Sequence, residues 1–434
     1  MSPPSFEGQG SRPATYTVAM NVAVRRWPGN DETKIPYWIY TDKDIYRTEL
    51  ERIWYGQHWL YAGLEAEVPA VGSYRTTTLG ERSVIVIRSA EEEISVLENR
   101  CRHRGVKISQ ARSGKTDGIQ CPYHQWSYAL DGTLQGVPFR RGIKGKGGMP
   151  ASFSPRDYGL TRLKVETVNG IIWASFSDTT PPFREYLGAN LWDSFERIVD
   201  GRPLRVVGYG RQVIPANWKL LMENFRDPYH GALLHVFLPT FGLFRPDQSS
   251  ELRMDETGRN GSLMSVPPTE AGAHSDGEDI KRFVSAVGSM KLADRRLIEA
   301  VKELKGAETV GTCSVFPSVF ILQQINSLQI RHVVPKGPEA FELMWTHFGF
   351  DSDDEQMRQR RIRHGNLFGP AGLVSVDDNE ILVMAQNGID TFEEDGEAVL
   401  KMGSGGRENG HEGHMATESA IRGMYQYYRE VMGL

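Results

Sequence analysis

Two short segments of the sequence combine cysteine with histidine. Cys101 and His103 have one residue between them, and Cys121 and His124, after seventeen intervening residues, have two. A [2Fe–2S] cluster needs four ligands, and exchanging two thiolates for neutral imidazoles on one iron removes negative charge and raises the reduction potential. Structural zinc sites more often pair two cysteines on one loop and two histidines on another. The interleaved order therefore predicts a Cys2His2 [2Fe–2S] centre, with zinc as the alternative.

The cysteine count limits what such a centre can be made of. Only three cysteines occur in the 434 residues, which is too few for a disulfide framework and one short of an all-thiolate cluster. Any cluster must therefore use other ligands. The third cysteine, Cys313, has no partner and is expected to be a buried structural thiol.

A second candidate metal site lies between Glu223 and His235. His230 and His235 supply two imidazoles there, and two imidazoles with one carboxylate leave coordination positions open for oxygen at Fe(II). Five residues on a regular helix separate two side chains by about 140°. We therefore expect a helix to start, bulge or bend in this segment, and the third ligand to come from elsewhere.

The predicted secondary structure around these motifs changes along the chain from a helix to short strands and then to a mixture of helices and strands. A capping-box pattern at Thr41 and Asp44, followed by apolar residues at helical spacing, predicts a helix over 42–55. Beyond it, short β-branched runs separated by turn residues predict strands at 74–79, 83–88, 94–98, 163–167 and 171–176. The second half is predicted to hold helices near 279–304, 353–366 and 416–432 and strands near 318–334 and 341–350.

These patterns predict an α+β protein with two domains. We expect a flexible tail over 1–35, a helical lead-in over 36–59 that packs on the catalytic domain, a small all-β domain over 60–178, and a larger domain of helices on an antiparallel sheet over 179–434. Residues 255–279 and 403–413, rich in glycine and polar residues, are expected to be surface loops.

Composition and charge exclude several classes of function. Fifty basic against 55 acidic residues give a net charge of −5 with no long basic block, so we expect no nucleic-acid partner. The first 15 residues lack the features of a signal peptide. No apolar stretch approaches the roughly 18 residues that span a bilayer. A cytoplasmic protein without a membrane anchor is predicted.

With these motifs the chain resembles the large (alpha) subunit of the Rieske non-heme iron ring-hydroxylating oxygenases, from about Pro36 to the C-terminus. Respiratory Rieske proteins share the cluster motif, but they carry an extra disulfide cysteine on each ligand loop, where this sequence has Val106 and Tyr123. They also need a membrane anchor. The resemblance implies a [2Fe–2S] Rieske cluster and a mononuclear Fe(II) as cofactors.

The resemblance also implies the third iron ligand. The segment 369–380 resembles the stretch in which the family carries its iron-binding aspartate after a glycine-rich segment, and Asp378 matches the ligand position. Asp377 and Glu380 are alternatives. Acidic residues are also favoured at a helix N-terminus, which is compatible with metal binding.

Asp227 matches an aspartate that, in the family, connects the two metal sites. The family's residue hydrogen-bonds a cluster histidine of one subunit and an iron histidine of its neighbour, which would be His124 and His230 here. Such a carboxylate fixes the tautomer of each imidazole. The resemblance therefore implies a homo-oligomer, either a trimer or a multiple of three.

Within the family the sequence is most like the group that acts on aromatic carboxylates such as salicylate, terephthalate, anthranilate and ortho-halobenzoates. A carboxylate in an apolar pocket needs a buried cation, which arginine supplies. Arg331 and Arg422 are candidates for this cation. The alternatives are that Arg331 pairs with an acid across the sheet and that Arg422 lies on a helix without a substrate contact. Asn224 and Phe225 are expected to line the pocket.

No Gly-x-Gly-x-x-Gly motif follows a predicted strand, so electrons are expected from a separate reductase, directly or through a ferredoxin, with NADH or NADPH as the ultimate donor. A small β subunit is compatible with the sequence. The residues fit an oxygenase that adds one or both atoms of O2 to a small aromatic acid. The alternatives are an oxygenase acting on a neutral aromatic compound, a Rieske electron-transfer protein without catalysis, and a zinc-stabilised ligand-binding protein.

Overall fold

The computed structural model describes residues 27–29, 31–245, 248–267, 290–392 and 396–434, and every statement below refers to them. Sequence predictions that fall on 1–26 of the tail, on 268–279 of the first loop and on 279–289 of the first long helix of the second half lie outside the described residues. Within them, no helix combines the length and apolarity needed to cross a bilayer.

The first part of the chain is built mainly of short strands. In chain order its elements are β1 (Lys34–Pro36), α1 (Trp38–Thr41), α2 (Lys43–Glu49), β2 (Leu60–Leu64), β3 (Ser73–Leu79), β4 (Arg82–Ala90), β5 (Glu93–Glu98), β6 (Ser113–Lys115), β7 (Ile119–Gln120), β8 (Ser127–Tyr128), β9 (Leu134–Gly136), β10 (Lys164–Val168) and β11 (Ile171–Ser175).

Three antiparallel sheets result, with strand orders β10-β11-β2, β5-β4-β3-β6 and β7-β8-β9. All five predicted strands are present, with ends within two residues of the expected ones. Side chains from the second and third sheets pack into one apolar cluster that includes Ile87, Leu97, Trp126 and Leu134. This cluster also contains Cys101 and Cys121, so the β domain forms the rigid base from which the two ligand loops project.

The helical lead-in differs from its prediction in its first residue. Asp42, not Thr41, caps α2, because its carboxylate accepts hydrogen bonds from the backbone amides of Asp44 and Ile45. Thr41 is the last residue of α1. After α2 the chain continues as one π-helical turn over Leu50–Trp54, so the helix expected over 42–55 is present with a widened end.

Part of the predicted tail belongs to the folded structure. Trp27 is buried against Trp38 and Tyr425, and β1 pairs with the strand Glu397–Val399 near the C-terminus. Apolar contact and backbone pairing therefore hold these residues in place.

The second part of the chain combines a large sheet with helices. Its elements are α3 (Phe183–Leu187), α4 (Trp192–Ile198), β12 (Leu204–Ile214), α5 (Trp218–Asn224), α6 (Gly231–Leu234), α7 (Phe237–Thr240), β13 (Ser250–Met254), β14 (Gly261–Ser265), β15 (Val310–Val315), β16 (Val319–Gln324), β17 (Ser327–Pro335), β18 (Phe341–Phe350), α8 (Glu355–Leu367), α9 (Leu373–Thr391), β19 (Glu397–Val399), β20 (His411–Glu412) and α10 (Ser419–Met432).

Eight of these strands form one antiparallel sheet among the described residues, in the order β12-β18-β17-β16-β15-β14-β13-β20. Helix α4 packs on one face, where Arg197 hydrogen-bonds Gln323. Helix α8 packs on the other, where Gly365 lies against the ring of His347. The predicted architecture of helices on an antiparallel sheet is thus confirmed, as are the helices near 353–366 and 416–432.

Two sequence predictions were wrong in the described parts. Residues 255–265 are not a loop throughout, because 255–260 form the turn of a hairpin whose second strand is β14. Residues 290–304 hold only a short 3-10 turn, Arg295–Leu297, instead of a helix. The polar and glycine-rich composition of the hairpin concealed a strand that pairs on both edges, with β13 and β15.

A buried ion pair joins the lead-in to the second part of the chain. Glu49 of α2 accepts hydrogen bonds from Lys219 Nζ (2.6 Å) and Trp218 Nε1 (2.8 Å) of α5 and from Tyr428 Oη (2.6 Å) of α10. The side chains of Glu49 and Lys219 are 0% and 1% exposed. Removing one partner of such a pair leaves an uncompensated buried charge, which is costly.

We expect Glu49→Gln to lower the free energy of unfolding by about 3–5 kcal/mol, because Lys219 would lose its anion in a buried site. Urea denaturation followed by tryptophan fluorescence measures this directly, since Trp218 is in the network. Arg47→Gln, which breaks the exposed pair with Asp44, is the control and should cost less than about 1 kcal/mol. Equal effects of the two variants would contradict a structural role for the buried pair.

Candidate metal centres

The two cysteine-histidine loops have the same backbone architecture. In each, the amide of the fifth residue donates to the carbonyl of the cysteine at 3.0 Å, from Gly105 to Cys101 and from Gln125 to Cys121. Both fifth residues have positive φ, +74° and +57°, a conformation that glycine adopts freely and other residues rarely. Two similar turns therefore face each other, each presenting one sulfur and one imidazole.

The two imidazoles lie together at the protein surface. The ring centroids of His103 and His124 are 4.7 Å apart. Trp126 stacks on His103 at 4.9 Å with an interplanar angle of 6°, and Tyr123 packs on His124 at 3.7 Å. Neither imidazole hydrogen-bonds another described residue, so the nitrogens are available as ligands.

The two sulfurs lie beneath the imidazoles. Cys101 and Cys121 are buried and free, and Tyr128 Oη is 3.3 Å from the sulfur of Cys101. Burial, with the neighbouring Cys101 thiol, raises the pKa of Cys121. Two thiols on the inner side and two imidazoles on the outer side fit the ligand set of a Rieske cluster.

The second site is formed where the chain leaves helix α5. That helix ends at Asn224, and a short helix, α6, follows over Gly231–Leu234. His230 and His235 lie immediately before and after α6. The expected break in the helix is confirmed, and it allows both imidazoles to face one point.

Asp378, in the second turn of α9, completes a group of three. Its Oδ1 lies 3.1 Å from His235 Nε2 and 3.6 Å from His230 Nε2. One ligand atom from each residue can be chosen so that all three lie within 4.8 Å of one another. Two imidazoles and one carboxylate in this arrangement fit a mononuclear Fe(II) with open coordination positions.

A separate carboxylate orients each imidazole. Asp227 Oδ2 lies 3.2 Å from Nδ1 of His230, and Asp377 Oδ2 lies 3.3 Å from Nδ1 of His235. Both rings consequently present Nε2 to the centre of the site. Carboxylates in this position fix the tautomer and raise the basicity of the ligand.

Charges within the site stabilise one another. Burial acts to lower the pKa of His230, but its hydrogen bonds with Asp227 and Asp378 outweigh burial and raise the pKa to about 10. Burial acts to raise the pKa of Asp378, and the two histidines hold it well below its usual range instead. Asp378 is therefore an anionic ligand at neutral pH.

Asn224 connects the two halves of the site. Its Nδ2 lies 3.1 Å from Asp378 Oδ1 and 3.4 Å from His230 Nε2. The amide thus holds the carboxylate of α9 beside the end of α5. Asn224 thus lies beside the proposed iron ligands, and its place in the lining of a substrate pocket stays a prediction.

Arg331 lies in β17 with a fixed guanidinium. It is 2% exposed. Its Nε donates to Gln329 Oε1, and its Nη2 donates to Gln324 Oε1 and to the carbonyl of Phe368, each at 3.0 Å. The contacts of the two glutamines could not be predicted, because a glutamine in a buried strand belongs to no recognisable motif.

No described carboxylate forms an ion pair with Arg331, so the alternative that it pairs with an acid across the sheet is not what the structure shows. Burial lowers its pKa to about 10, against the opposing influence of Asp378. The guanidinium lies 5.3 Å from the ring centroid of Phe225 and 5.7 Å from that of Trp345. Phe225 in turn stacks on Phe320 at 3.8 Å.

Arg422 has different surroundings. It is buried in α10, where its guanidinium donates to the carbonyls of Leu400, Met402 and Gly405. Among the described residues, none of its hydrogen bonds reaches the two histidines or Asp378. These contacts give Arg422 the role of holding the segment 400–405 against α10.

Asp227 and His124 of one chain are not brought together, since no hydrogen bond joins them among the described residues. Asp377, the alternative ligand predicted from the sequence, lies beside His235 on the side away from Asp378. Glu380 is exposed. From the sequence alone, two adjacent acids in a helix do not show which one faces the metal and which one orients a histidine, because this depends on where the histidines lie.

Comparison with known proteins gives matches over most of the chain. Residues 58–146 match the Rieske [2Fe-2S] domain, and residues 195–434 match the catalytic domain of the ring hydroxylating alpha subunit. The large oxygenase component of salicylate 5-hydroxylase from Ralstonia sp is 46% identical and covers 94% of this chain and 96% of its own length.

Two further proteins are similar over nearly their whole length. The terminal oxygenase component subunit alpha 2 of terephthalate 1,2-dioxygenase from Comamonas sp is 40% identical, over 95% of this chain and 99% of its own. The crystal structure of naphthalene 1,2-dioxygenase from Rhodococcus sp. bound to indole has a TM-score of 0.76 at 25% identity, over 93% of this chain and 95% of its own.

The two carboxylates of α9 can be told apart by metal binding. We expect Asp378→Asn to abolish Fe(II) binding and Asp377→Asn to weaken it about 10- to 100-fold, because the latter loses only the orientation of His235. Glu380→Gln is the control and should bind Fe(II) as tightly as the unmodified protein. Anaerobic titration of metal-depleted protein with Fe(II) measures this, with cluster absorbance as a check of folding. Retention of iron by Asp378→Asn would refute the ligand assignment.

Proposed function

The chain belongs to the family of ring-hydroxylating oxygenase alpha subunits, which carry a Rieske [2Fe–2S] cluster and a mononuclear non-heme iron, and on that premise we propose that it hydroxylates an aromatic carboxylate with O2. The iron supplies a site at which O2 can bind, and the cluster supplies electrons one at a time. Cys101, His103, Cys121 and His124 would hold the cluster.

Buried Arg331 is the observation that supports an acidic substrate. A guanidinium removed from water without a carboxylate partner is energetically unfavourable. An anionic substrate would supply the missing charge. The named relatives agree, since their substrates are salicylate, terephthalate and anthranilate.

The surroundings of Arg331 suit an aromatic ring. Phe225, Phe320 and Trp345 present apolar surface beside the guanidinium. A ring whose carboxylate is held by Arg331 would lie among these side chains, and Phe225 directly follows Asn224, which contacts the iron-site residues. The pocket residues and the metal residues are thus close in both sequence and space.

His230, His235 and Asp378 would hold the iron, and each has a defined further contact. Asp227 and Asp377 keep the two imidazoles oriented, while Asn224 donates to Asp378. Three ligands from the chain would leave coordination positions of Fe(II) open for O2.

Asp227 would also carry the coupling between the two metal sites. It contacts His230 of its own chain, and it makes no hydrogen bond to His124 of that chain among the described residues. We therefore assign His124 of a neighbouring copy as its second partner, which requires a homo-oligomer, and the family resemblance implies three subunits or a multiple of three. A carboxylate shared by the two histidines would give a short path for electrons.

The remaining partners follow from the reaction. Each turnover consumes two electrons and two protons, and the electrons would come from NAD(P)H through a separate reductase, with or without a ferredoxin. The relatives are named as large or terminal oxygenase components, which fits a protein that works with other components. A small β subunit is compatible with this assignment.

Replacing Arg331 by leucine tests the substrate class. A hydrogen bond to a charged group contributes about 1.5–3 kcal/mol, so we expect the Michaelis constant for a substituted benzoate to rise about 10- to 150-fold and that for its neutral amide to change little. A panel of benzoates with labelled O2 and a surrogate reductase provides the assay and counts the oxygen atoms incorporated.

Arg422→Leu is the matched control, because its contacts are to main-chain carbonyls, and it should leave the ratio of acid to amide unchanged. Retention of the cluster spectrum and of iron shows that each variant is folded. Equal changes for acid and amide in Arg331→Leu would refute the carboxylate contact, and turnover of neutral aromatics alone would refute the proposed substrate class.

Asp227→Asn tests the coupling of the two metals. The variant should retain both metals and reduce its cluster normally, while product formation falls about 100-fold, because an amide has only one accepting oxygen and carries an NH2 donor in place of the other. Metal analysis, the rate of cluster reduction and product yield measure the three properties separately. Full activity would show that Asp227 does not couple the sites.

A further inference from the structure

Positive charge is concentrated in the β domain around the cluster loops. Residues 99–149 contain ten lysines and arginines and two aspartates, a net charge of +8, whereas the whole chain carries −5. The rest of the chain therefore carries −13. Such a separation of charge within one protein creates a strong local potential.

These cations are mostly not neutralised by the protein itself. Within the part of the chain that the structure describes, only Arg100 of the ten forms an ion pair, with Glu98. The other nine have no carboxylate partner among the described residues: Arg102, Arg104, Lys107, Arg112, Lys115, Arg140, Arg141, Lys144 and Lys146. Their charge is available to a partner.

Four of the ten lie in one ordered loop, residues 139–148, here called the basic loop. Ile143 and Lys146 exchange two backbone hydrogen bonds of 3.0 Å, and the amide of Gly142 donates to Phe139 at 2.8 Å. Phe139 is 71% exposed. The loop thus presents four positive charges and an aromatic ring on a fixed backbone.

A series of rings connects the basic loop to one imidazole. The guanidinium of Arg140 lies 5.6 Å from the ring centroid of Phe153, Phe153 lies 6.1 Å from Trp126, and Trp126 stacks on His103 at 4.9 Å. The basic loop is therefore adjacent to the His103 side of the proposed cluster.

The two imidazoles have different neighbours. His124 packs against Tyr123, to whose hydroxyl Arg104 donates at 3.2 Å. In the proposed function, His124 is the histidine that contacts Asp227 of a neighbouring copy. The His103 side is not needed for that contact.

We propose that the basic loop is the docking surface for the electron donor, a redox protein whose own centre is surrounded by acidic residues. This inference rests on the proposed function, because it assigns the entry of electrons to the His103 side and their exit to the His124 side. One electron leaves the donor and one reaches the cluster at each encounter, so two encounters serve each O2. NAD(P)H reduces the donor through the separate reductase.

Charge complementarity has a measurable consequence. Long-range attraction between an acidic donor and this loop accelerates association, and salt weakens it because the Debye length falls to about 10 Å at 0.1 M. Exposed Phe139, the first residue of the basic loop, supplies an apolar contact beside these charges. Removing charges from the loop should therefore weaken binding most at low ionic strength.

The experiment compares two triple variants of the metal-loaded protein, both with exposed lysine or arginine replaced by glutamine. The test variant changes Arg141, Lys144 and Lys146, and the control changes Lys291, Lys302 and Lys305. An acidic plant-type [2Fe–2S] ferredoxin is the probe, and a basic cytochrome c is the probe of opposite charge. Calorimetry or biolayer interferometry gives the dissociation constant across a salt series, without turnover.

We expect the test variant to bind the ferredoxin about tenfold more weakly at low salt and to show a shallower salt dependence. The control variant should bind the ferredoxin as the unmodified protein does, and removing the charges of the basic loop should not weaken the binding of cytochrome c. Reduction of the cluster by dithionite, a small reagent, should be unchanged in both variants. These results would support the docking surface.

Three results would overturn the inference. They are equal binding of ferredoxin by the test and control variants, failure of the unmodified protein to bind ferredoxin at low salt, and dissociation of the oligomer in the test variant with donor binding intact. The last would assign the loop to contact between copies. The substrate experiments with Arg331 are independent of donor binding, so failure here is distinguishable from failure of the proposed function.

Discussion

The proposed iron site depends on one constraint, which is that two imidazoles must turn the same nitrogen toward one carboxylate. A histidine can carry its proton on either nitrogen, and its partner decides which one faces a metal. Asp227 and Asp377 make that decision, because each lies against Nδ1 of its own histidine. Asp227 can contact His230 because α5 ends at Asn224, before Asp227. Asp377 can contact His235 because α9 begins at Leu373, which places Asp377 in its second turn beside the site. The ends of these two helices therefore set the orientation of both imidazoles.

Much of this site could be predicted from the sequence. The spacing of His230 and His235 excluded a regular helix, and the structure has the break that this implies. The mixed order of cysteine and histidine in the β domain predicted a Rieske ligand set, because cluster chemistry restricts the residue types and their arrangement. The five strands predicted in the β domain lie within two residues of the observed ones, since burial sets their pattern, whereas the run near 318–334 forms two paired strands, β16 and β17.

Contacts between distant segments could not be predicted in this way. The role of Asp377 depends on where α9 lies against α6, and that position is set by tertiary packing. The same holds for the glutamines beside Arg331 and for the hairpin turn after Met254, where glycine and polar residues suggested a loop. Asp42 replaced Thr41 as the cap of α2 because a preceding short helix ends at Thr41, a boundary that has no distinct sequence pattern.

The fixed guanidinium of Arg331 has a consequence for where on the ring a reaction would occur. Its Nε and Nη2 already donate to two glutamines and a main-chain carbonyl, so the group cannot swing to follow a substrate. In the proposed function a bound carboxylate would then act as a pivot at a constant distance from the iron. The ring carbon that is oxidised would be selected by that distance, not by the intrinsic reactivity of the ring, and a substituent would be accepted according to its angle from the carboxylate. Regioselectivity would thus be a property of the strand that carries Arg331.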